Sequence, residues 1–184
     1  MVFETERLII RKARPDTKDV DFFFAIWTNP EVMTMVGFPN GLSITRDQIA
    51  KQISSQSNSV MDYKLVVELK DTGDLIGECK LGTPDESGVS ETDVKLLPQY
   101  WGNGYGTEIK RGLVNWLFSN TDCKIVRATP NRNNIASQKM QEAVGGRRVG
   151  EGVFEFPEST RDYTVDVPHY IYEVTRETWE RRKV

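Results

Sequence analysis

The chain has 184 residues, which suits one domain and is long enough to bury a core. Hydrophobic residues at 38% and charged residues at 28% are the make-up of a globular protein, with no low-complexity tract or internal repeat to suggest a solenoid or a disordered adaptor. A formal net charge of -3 supplies no basic field, which argues against a nucleic-acid partner. Cys79 and Cys123 fit neither a metal site nor a disulfide framework and are expected as reduced thiols, so a cytoplasmic protein without metal is the expectation. The N-terminal residues lack the apolar stretch of a signal peptide, and no apolar run approaches the ~18 residues of a membrane span. Arg181-Arg182-Lys183 reads as a solvated basic end.

Leu8 to Lys12 reads as a first strand, ended by Pro15-Asp16. Asp16 is placed to cap a helix whose apolar face is Val20, Phe23, Phe24 and Trp27, and Asn29-Pro30 closes it. Glu31 to Leu42 reads as a long loop with at most one helical turn. Thr45-Arg46-Asp47-Gln48 has capping-box spacing and opens a helix with a thin apolar stripe, Ile49 and Ile53, expected at the surface. Tyr63 to Leu69 and Leu75 to Leu81 read as strands joined by the hairpin signal Asp71-Thr72-Gly73-Asp74. After a polar loop from Gly82 to Gly88, Thr92, Val94 and Leu96 alternate with Glu91, Asp93 and Lys95 in a half-buried strand. A glycine-rich turn, Pro98 to Gly106, leads into a helix with Ile109, Leu113, Trp116 and Leu117 on one face. A short strand, Ile125 to Ala128, precedes a helix that begins at Asn131 to Asn134, carries Ala136, Met140, Ala143 and Val144 on one stripe, and stops at Gly145-Gly146. Arg147 to Phe156 and Tyr170 to Val174 read as final strands, with a short helix at the end. Hairpin-linked strands imply antiparallel pairs, and the strand–helix–strand unit implies one parallel crossover: a mixed α/β sheet in one domain covering residues 1–184.

The turn between strand and helix carries the chemistry. Gly102, Gly104 and Gly106 let the backbone take up positive φ and approach a ligand closely. The first N–H groups of the helix lack internal partners and sit at the positive end of its dipole, so phosphate is a natural occupant. No Gly-Lys-Ser/Thr ending follows, so this is not a Walker loop, and the spacing is not the G-x-G-x-x-G of a dinucleotide fingerprint.

The segment from Leu96 to Glu108 resembles the acyl-CoA loop of the GNAT superfamily of N-acetyltransferases. Within that superfamily it is most similar to the branch named for acetylation of ribosomal-protein N-terminal alanines. The pattern Arg/Gln-x-x-Gly-x-Gly/Ala is met by Gln99-x-x-Gly102-x-Gly104; in the better register, ending at Gly104-x-Gly106, Trp101 stands in place of the Arg/Gln. Asn134-Ile135-Ala136-Ser137, with Met140 and Gly145, resembles the branch's Asn-x-x-Ser helix, although Gly146 replaces the usual phenylalanine. Thr5 to Arg11 and Tyr172 to Trp179 are also similar, so the resemblance spans nearly the whole chain. It implies acetyl-CoA as co-substrate, wedged between two splayed central strands that end near Leu97 and Ala128. It implies cofactor contacts from Leu96, Leu97, Trp101, Gly102, Asn103, Gly104, Tyr105, Gly106, Thr107, Asn134 and Ser137.

Moving an acyl group from a thioester to an amine requires deprotonation of the amine, a donor for the oxyanion, and alignment of the two substrates. Glu91 and Asp93 share a strand face and Glu78 lies on the preceding strand, so each is a candidate base, with Glu91 first because similar proteins carry a glutamate near this point. Many relatives protonate the leaving thiolate with a tyrosine on the last helix; the position here is Gln141, and the branch resemblance shifts that role to Ser137. His169, the only histidine, is expected to be structural, and the Phe22-Phe23-Phe24 run and Trp27 are expected in the core. The acceptor site is expected between the 30–42 and 157–167 loops, where Glu31, Glu158, Asp162 and Asp166 would attract a cationic amine. The sequence therefore reads as an N-acetyltransferase acting on a peptide N-terminus or a small amine, as monomer or homodimer. A non-catalytic acyl-CoA sensor and a nucleotide-binding module are the alternatives.

Overall fold

In the computed structural model, which describes residues 1–57 and 59–182, β1 (Phe3–Glu4) and β2 (Leu8–Lys12) form a tight hairpin at one edge of the sheet. The chain then leaves the sheet for α1 (Thr17–Trp27), α2 (Pro30–Met33) and α3 (Arg46–Ser54), and returns through β3 (Leu65–Leu69), β4 (Leu75–Leu81) and β5 (Val89–Leu96). Next come α4 (Tyr105–Asn120), β6 (Ile125–Ala128), α5 (Ile135–Ala143), β7 (Arg147–Phe154), β8 (Val167–Thr175) and α6 (Arg176–Arg182). The eight strands form one mixed sheet in the order β1-β2-β3-β4-β5-β6-β8-β7, and β5·β6 is its parallel pair. Lys183, the end of the basic tail, lies outside the described residues.

Alternation along the strands sorts the side chains between two cores. Leu65 and Val67 on β3 join Leu8, Ile10, Cys79 and Leu81 beneath α4, where Ile109, Leu113, Val114, Leu117 and Phe118 complete one cluster. Val66 points the other way, into a second cluster with Val20, Phe22, Phe23, Ile26 and Trp27 of α1 and Ile49 and Ile53 of α3. Helix α3 is therefore more deeply set than its thin stripe suggests, since both isoleucines are at most 1% exposed. The capping box at Thr45 and Gln48 forms as the spacing requires, and Asp16 caps α1 by accepting from the Asp19 N–H. Asp19 is itself buried and holds Arg11 in a two-pronged ion pair at 2.7 and 2.8 Å.

Further details depart from the sequence reading. The 30–42 segment contains α2 and a 3-10 turn at Thr34–Val36 rather than a single turn. β7 stops at Phe154, whereas β8 starts early, at Val167. On α5 the buried side chain is Gln141, while Ala136 and Ala143 are exposed, so the inward stripe is turned from the one the apolar residues outline.

Candidate active site

β5 pairs with β6 only from Val89↔Ile125 to Glu91↔Arg127, and then runs on to Leu96 alongside β4 alone. About 16 Å of β5 thus has no partner on its β6 side, at the usual rise per residue. This is a wedge in the middle of the sheet, with Glu91 at its vertex and the glycine loop at its mouth.

The mouth is built to leave donors unused. Gly102 and Gly104 have φ of 77° and 78°, in the left-handed region that glycine reaches without strain. Side chains of Asp16, Asn29, Thr45 and Asn134 cap α1, α2, α3 and α5, but α4 starts at Gly104 with no side-chain cap. The Glu108 N–H donates to the Gly104 carbonyl; the N–H groups before it have no partner within the helix. A Cβ at Gly102 would meet nothing within 4 Å, and one at Gly104 only Arg7 Nη2 at 3.6 Å, so the cradle opens outward.

The loop is held rigid by its own polar groups. Trp101, half-exposed, donates its indole N–H to the Leu96 carbonyl at 2.9 Å, and Asn103 Nδ2 donates to the Trp101 carbonyl at 3.0 Å. Arg7 reaches over from the start of β2: it donates to the Asn103 carbonyl at 3.1 Å and to Glu108 Oε2 at 2.7 Å, and its guanidinium lies 4.4 Å from the Tyr105 ring centre. Thr5 adds a 2.6 Å bond to Glu108 Oε1. Desolvation pushes the Glu108 carboxyl up, but these donors outweigh it and hold it below its ordinary range. Leu97 is tied to β4 through its N–H and the Ile76 carbonyl, while Thr107 follows in the first turn of α4. The residues of the expected cofactor loop are thus brought to one place. Arg7 and Thr5 were not singled out for it, and no local pattern marks them, because their partner Glu108 is about a hundred residues away.

Asn134 caps α5 with its Oδ1, accepting from the Ser137 N–H at 3.0 Å, and the cap leaves the two Nδ2 donors unused. α5 packs on α4, so Asn134 and Ser137 belong to the same side of the sheet as the loop's helix.

The three candidate carboxylates share the opposite side. Glu78 lies across from Val66 and Lys95, and Asp93 across from Lys80, which puts all of them, with Glu91, on the α1 face. Glu78 is buried; its Oε1 accepts from Trp27 Nε1 at 2.8 Å and faces Lys95 Nζ at 3.3 Å. Asp93 also pairs with Lys95. Desolvation raises the Asp93 carboxyl, but the Lys95 charge prevails and keeps it low. Among the described residues Glu91 makes no ion pair or side-chain hydrogen bond and is exposed.

The two loops expected to shape an acceptor site touch. The Val165 N–H donates to the Gly37 carbonyl at 2.9 Å, and Phe38 meets Phe156 edge-on with ring centres 5.3 Å apart. Asp166 is occupied by Arg161 at 2.8 Å and by the Phe156 N–H at 2.9 Å; Glu158 also pairs with Arg161, at 3.7 Å, and Glu31, Glu158 and Asp162 are exposed. His169 sits in β8, its Nδ1 3.1 Å from the Val167 carbonyl. The described residues contain no group of three or more potential metal ligands, and none of their helices is long and apolar enough to cross a membrane.

The family model for the acetyltransferase (GNAT) domain matches residues 7–147. The chain is 27% identical over 167 residues to an uncharacterised N-acetyltransferase, p20, of Bacillus licheniformis, covering 89% of this chain and 90% of that protein. Its fold is similar to a spermidine N-acetyltransferase from Vibrio cholerae in complex with coenzyme A and spermine, with TM-score 0.76 and 16% identity over 95% of this chain and 98% of the other. It is also similar to the aminoglycoside acetyltransferase AAC(6')-Ib in complex with coenzyme A, with TM-score 0.72 and 18% identity over 96% and 99% of the two chains. Membership of an acetyltransferase family supports an enzyme over a nucleotide-binding module. With the match covering most of the chain, the protein belongs to the GNAT family and is an acetyl-CoA-dependent N-acetyltransferase.

Proposed function

We propose that the protein acetylates a primary amine by direct attack in a ternary complex, with Glu91 accepting the amine proton directly or through one water. The observation that carries this reading is the place of Glu91: exposed, without an ion-pair partner among the described residues, and at the vertex where β5 and β6 part. Acetyl-CoA would lie in the wedge, its diphosphate on the N–H groups of the loop and of Tyr105, Gly106 and Thr107, and its pantetheine arm between Leu96, Leu97 and Asn134. The acceptor would enter from the α1 face between the 30–42 and 157–167 loops, where exposed Glu31, Glu158 and Asp162 favour a cation. A peptide with N-terminal alanine or serine is the first acceptor to try, because Thr5 to Arg11 and Asn134 to Ser137 resemble the ribosomal-protein-alanine branch. Polyamines and aminoglycosides come next, since proteins of similar fold are named for them.

Three isosteric substitutions test the base. Glu91→Gln should lower kcat/KM on the order of 10²-fold and remove the acidic limb of the pH–rate profile. Asp93→Asn and Glu78→Gln should cost far less, because both carboxylates are already engaged by Lys95. A fully active Glu91→Gln beside an inactive Glu78→Gln would move the base to β4.

A further inference from the structure

Lys110, in the second turn of α4, is 1% exposed, and its Nζ donates to Thr92 Oγ1. Among the described residues it has no carboxylate in ion-pair range, and burying an ammonium without a counter-ion is costly. Packing alone would favour an apolar side chain at this position. Burial pushes the Lys110 pKa down to about 7, with only the field of Asp93 opposing it. Other charges are engaged elsewhere: Arg127 on β6 faces the α1 side with Glu91 and pairs with Glu173 at 2.7 Å, and Glu108 on α4 pairs with Arg7. Met140 and Gln141 on α5 are uncharged.

The place of this side chain matters more than its burial. Gly106, one turn earlier on the same face of α4, looks into the seam between β5 and α5: a Cβ there would lie 3.2 Å from Met140 Sδ and 3.7 Å from Leu96 Cδ1. Thr92 is the first residue of β5 beyond its last pair with β6. Lys110 Nζ is therefore at the vertex of the wedge on the α4 side, while Glu91, next to Thr92, turns to the α1 side. A lysine and a glutamate thus flank the vertex from opposite faces of one strand.

We propose that Lys110 is the proton donor to the coenzyme A sulfur as the thioester breaks. The inference rests on the acyl-CoA lying in the wedge with its sulfur at the vertex. The amine lone pair forms the new C–N bond and the C–S pair goes to sulfur, which takes a proton from the Lys110 ammonium. The nitrogen's surplus proton leaves toward Glu91, and Lys110 regains one from water after coenzyme A departs. Gln141 has no acidic proton to offer, and on this reading Ser137 is not the donor.

The test compares coenzyme A with desulfo-coenzyme A, by calorimetry on the full chain from neutral to alkaline pH, in the parent, Lys110→Met and Lys110→Arg. The parent should bind coenzyme A more tightly than desulfo-coenzyme A, by a margin that changes with pH. Lys110→Met should erase that margin while binding desulfo-coenzyme A as the parent does, and kcat should fall on the order of 10²-fold with loss of its alkaline decline. Lys110→Arg should keep the margin, lose its pH dependence and turn over slowly, which separates a lost proton from a lost fold. A parental margin and kcat in Lys110→Met would overturn the proposal. A parent that binds neither ligand would instead overturn the placement of the cofactor.

Discussion

Helices α3 and α4 begin in opposite ways. At α3, Thr45 accepts from the Gln48 N–H and Gln48 answers by accepting from the Thr45 N–H, so the helix satisfies its own first turn. At α4 a glycine at φ 78° occupies the same position, offers no side chain, and leaves the first N–H groups to whatever comes from outside. α5 stands between the two: Asn134 spends its carbonyl oxygen on the cap and keeps its amide donors. The difference separates helix ends that satisfy their own first turn from one that leaves it open, and it yields predictions of graded size.

The largest effect should come from Gly104→Asp. Aspartate tolerates the left-handed region better than most residues and would have Arg7 nearby, so the fold should survive. Its carboxylate would stand where a diphosphate is expected, and the rise in Tm with acetyl-CoA should vanish. A variant that binds coenzyme A as the parent does would displace the cradle from this loop.

Asn134→Ala should act on both properties. Loss of the cap should cost about 1 kcal/mol of stability in denaturant melts. Loss of the amide donors should weaken acetyl-CoA roughly tenfold, the scale of one hydrogen bond. A stability loss with unchanged affinity would leave Asn134 as a cap alone.

Thr45→Ala should cost about 1 kcal/mol as well and leave acetyl-CoA affinity untouched. Any loss of binding there would mean that α3 communicates with the wedge, which the α3/α4 contrast denies.

Lys110→Met sharpens the contrast from inside α4. Lys110 has a folded pKa below the ordinary lysine value, so its burial penalty is full below about pH 7 and fades as pH rises toward the unfolded value. The variant should melt above the parent at neutral pH, and the gap should close on alkaline titration. A variant that melts lower at every pH would show that the bond to Thr92 outweighs the cost of burial.

What could be read from the chain was what lies close together in it. The Thr45–Gln48 box, the Asp71–Asp74 hairpin and the glycines before α4 are patterns within a few residues, and each forms as its spacing implies. The clamp of Thr5 and Arg7 on Glu108 depends on contacts across the fold, so nothing local announces it, whereas pairing of Glu78 and Asp93 with Lys95 follows from the alternation along neighbouring strands. A lysine on an amphipathic helix gives no local sign of burial, and only packing sets Lys110 inside the core. On α5 hydrophobic pattern and burial disagree: its buried residue is polar Gln141, while alanines that look apolar are exposed.

The most direct test of the account is a thermal melt of the parent protein titrated with acetyl-CoA. Saturation near 100 times Kd should add about 2.7 kcal/mol of stability and raise Tm by roughly 5–10 °C, increasing with the logarithm of concentration. ATP and NAD at the same concentrations should leave Tm where it was. A Tm indifferent to acetyl-CoA, or raised equally by ATP or NAD, would contradict the claim that the uncapped start of α4 is an acyl-CoA cradle.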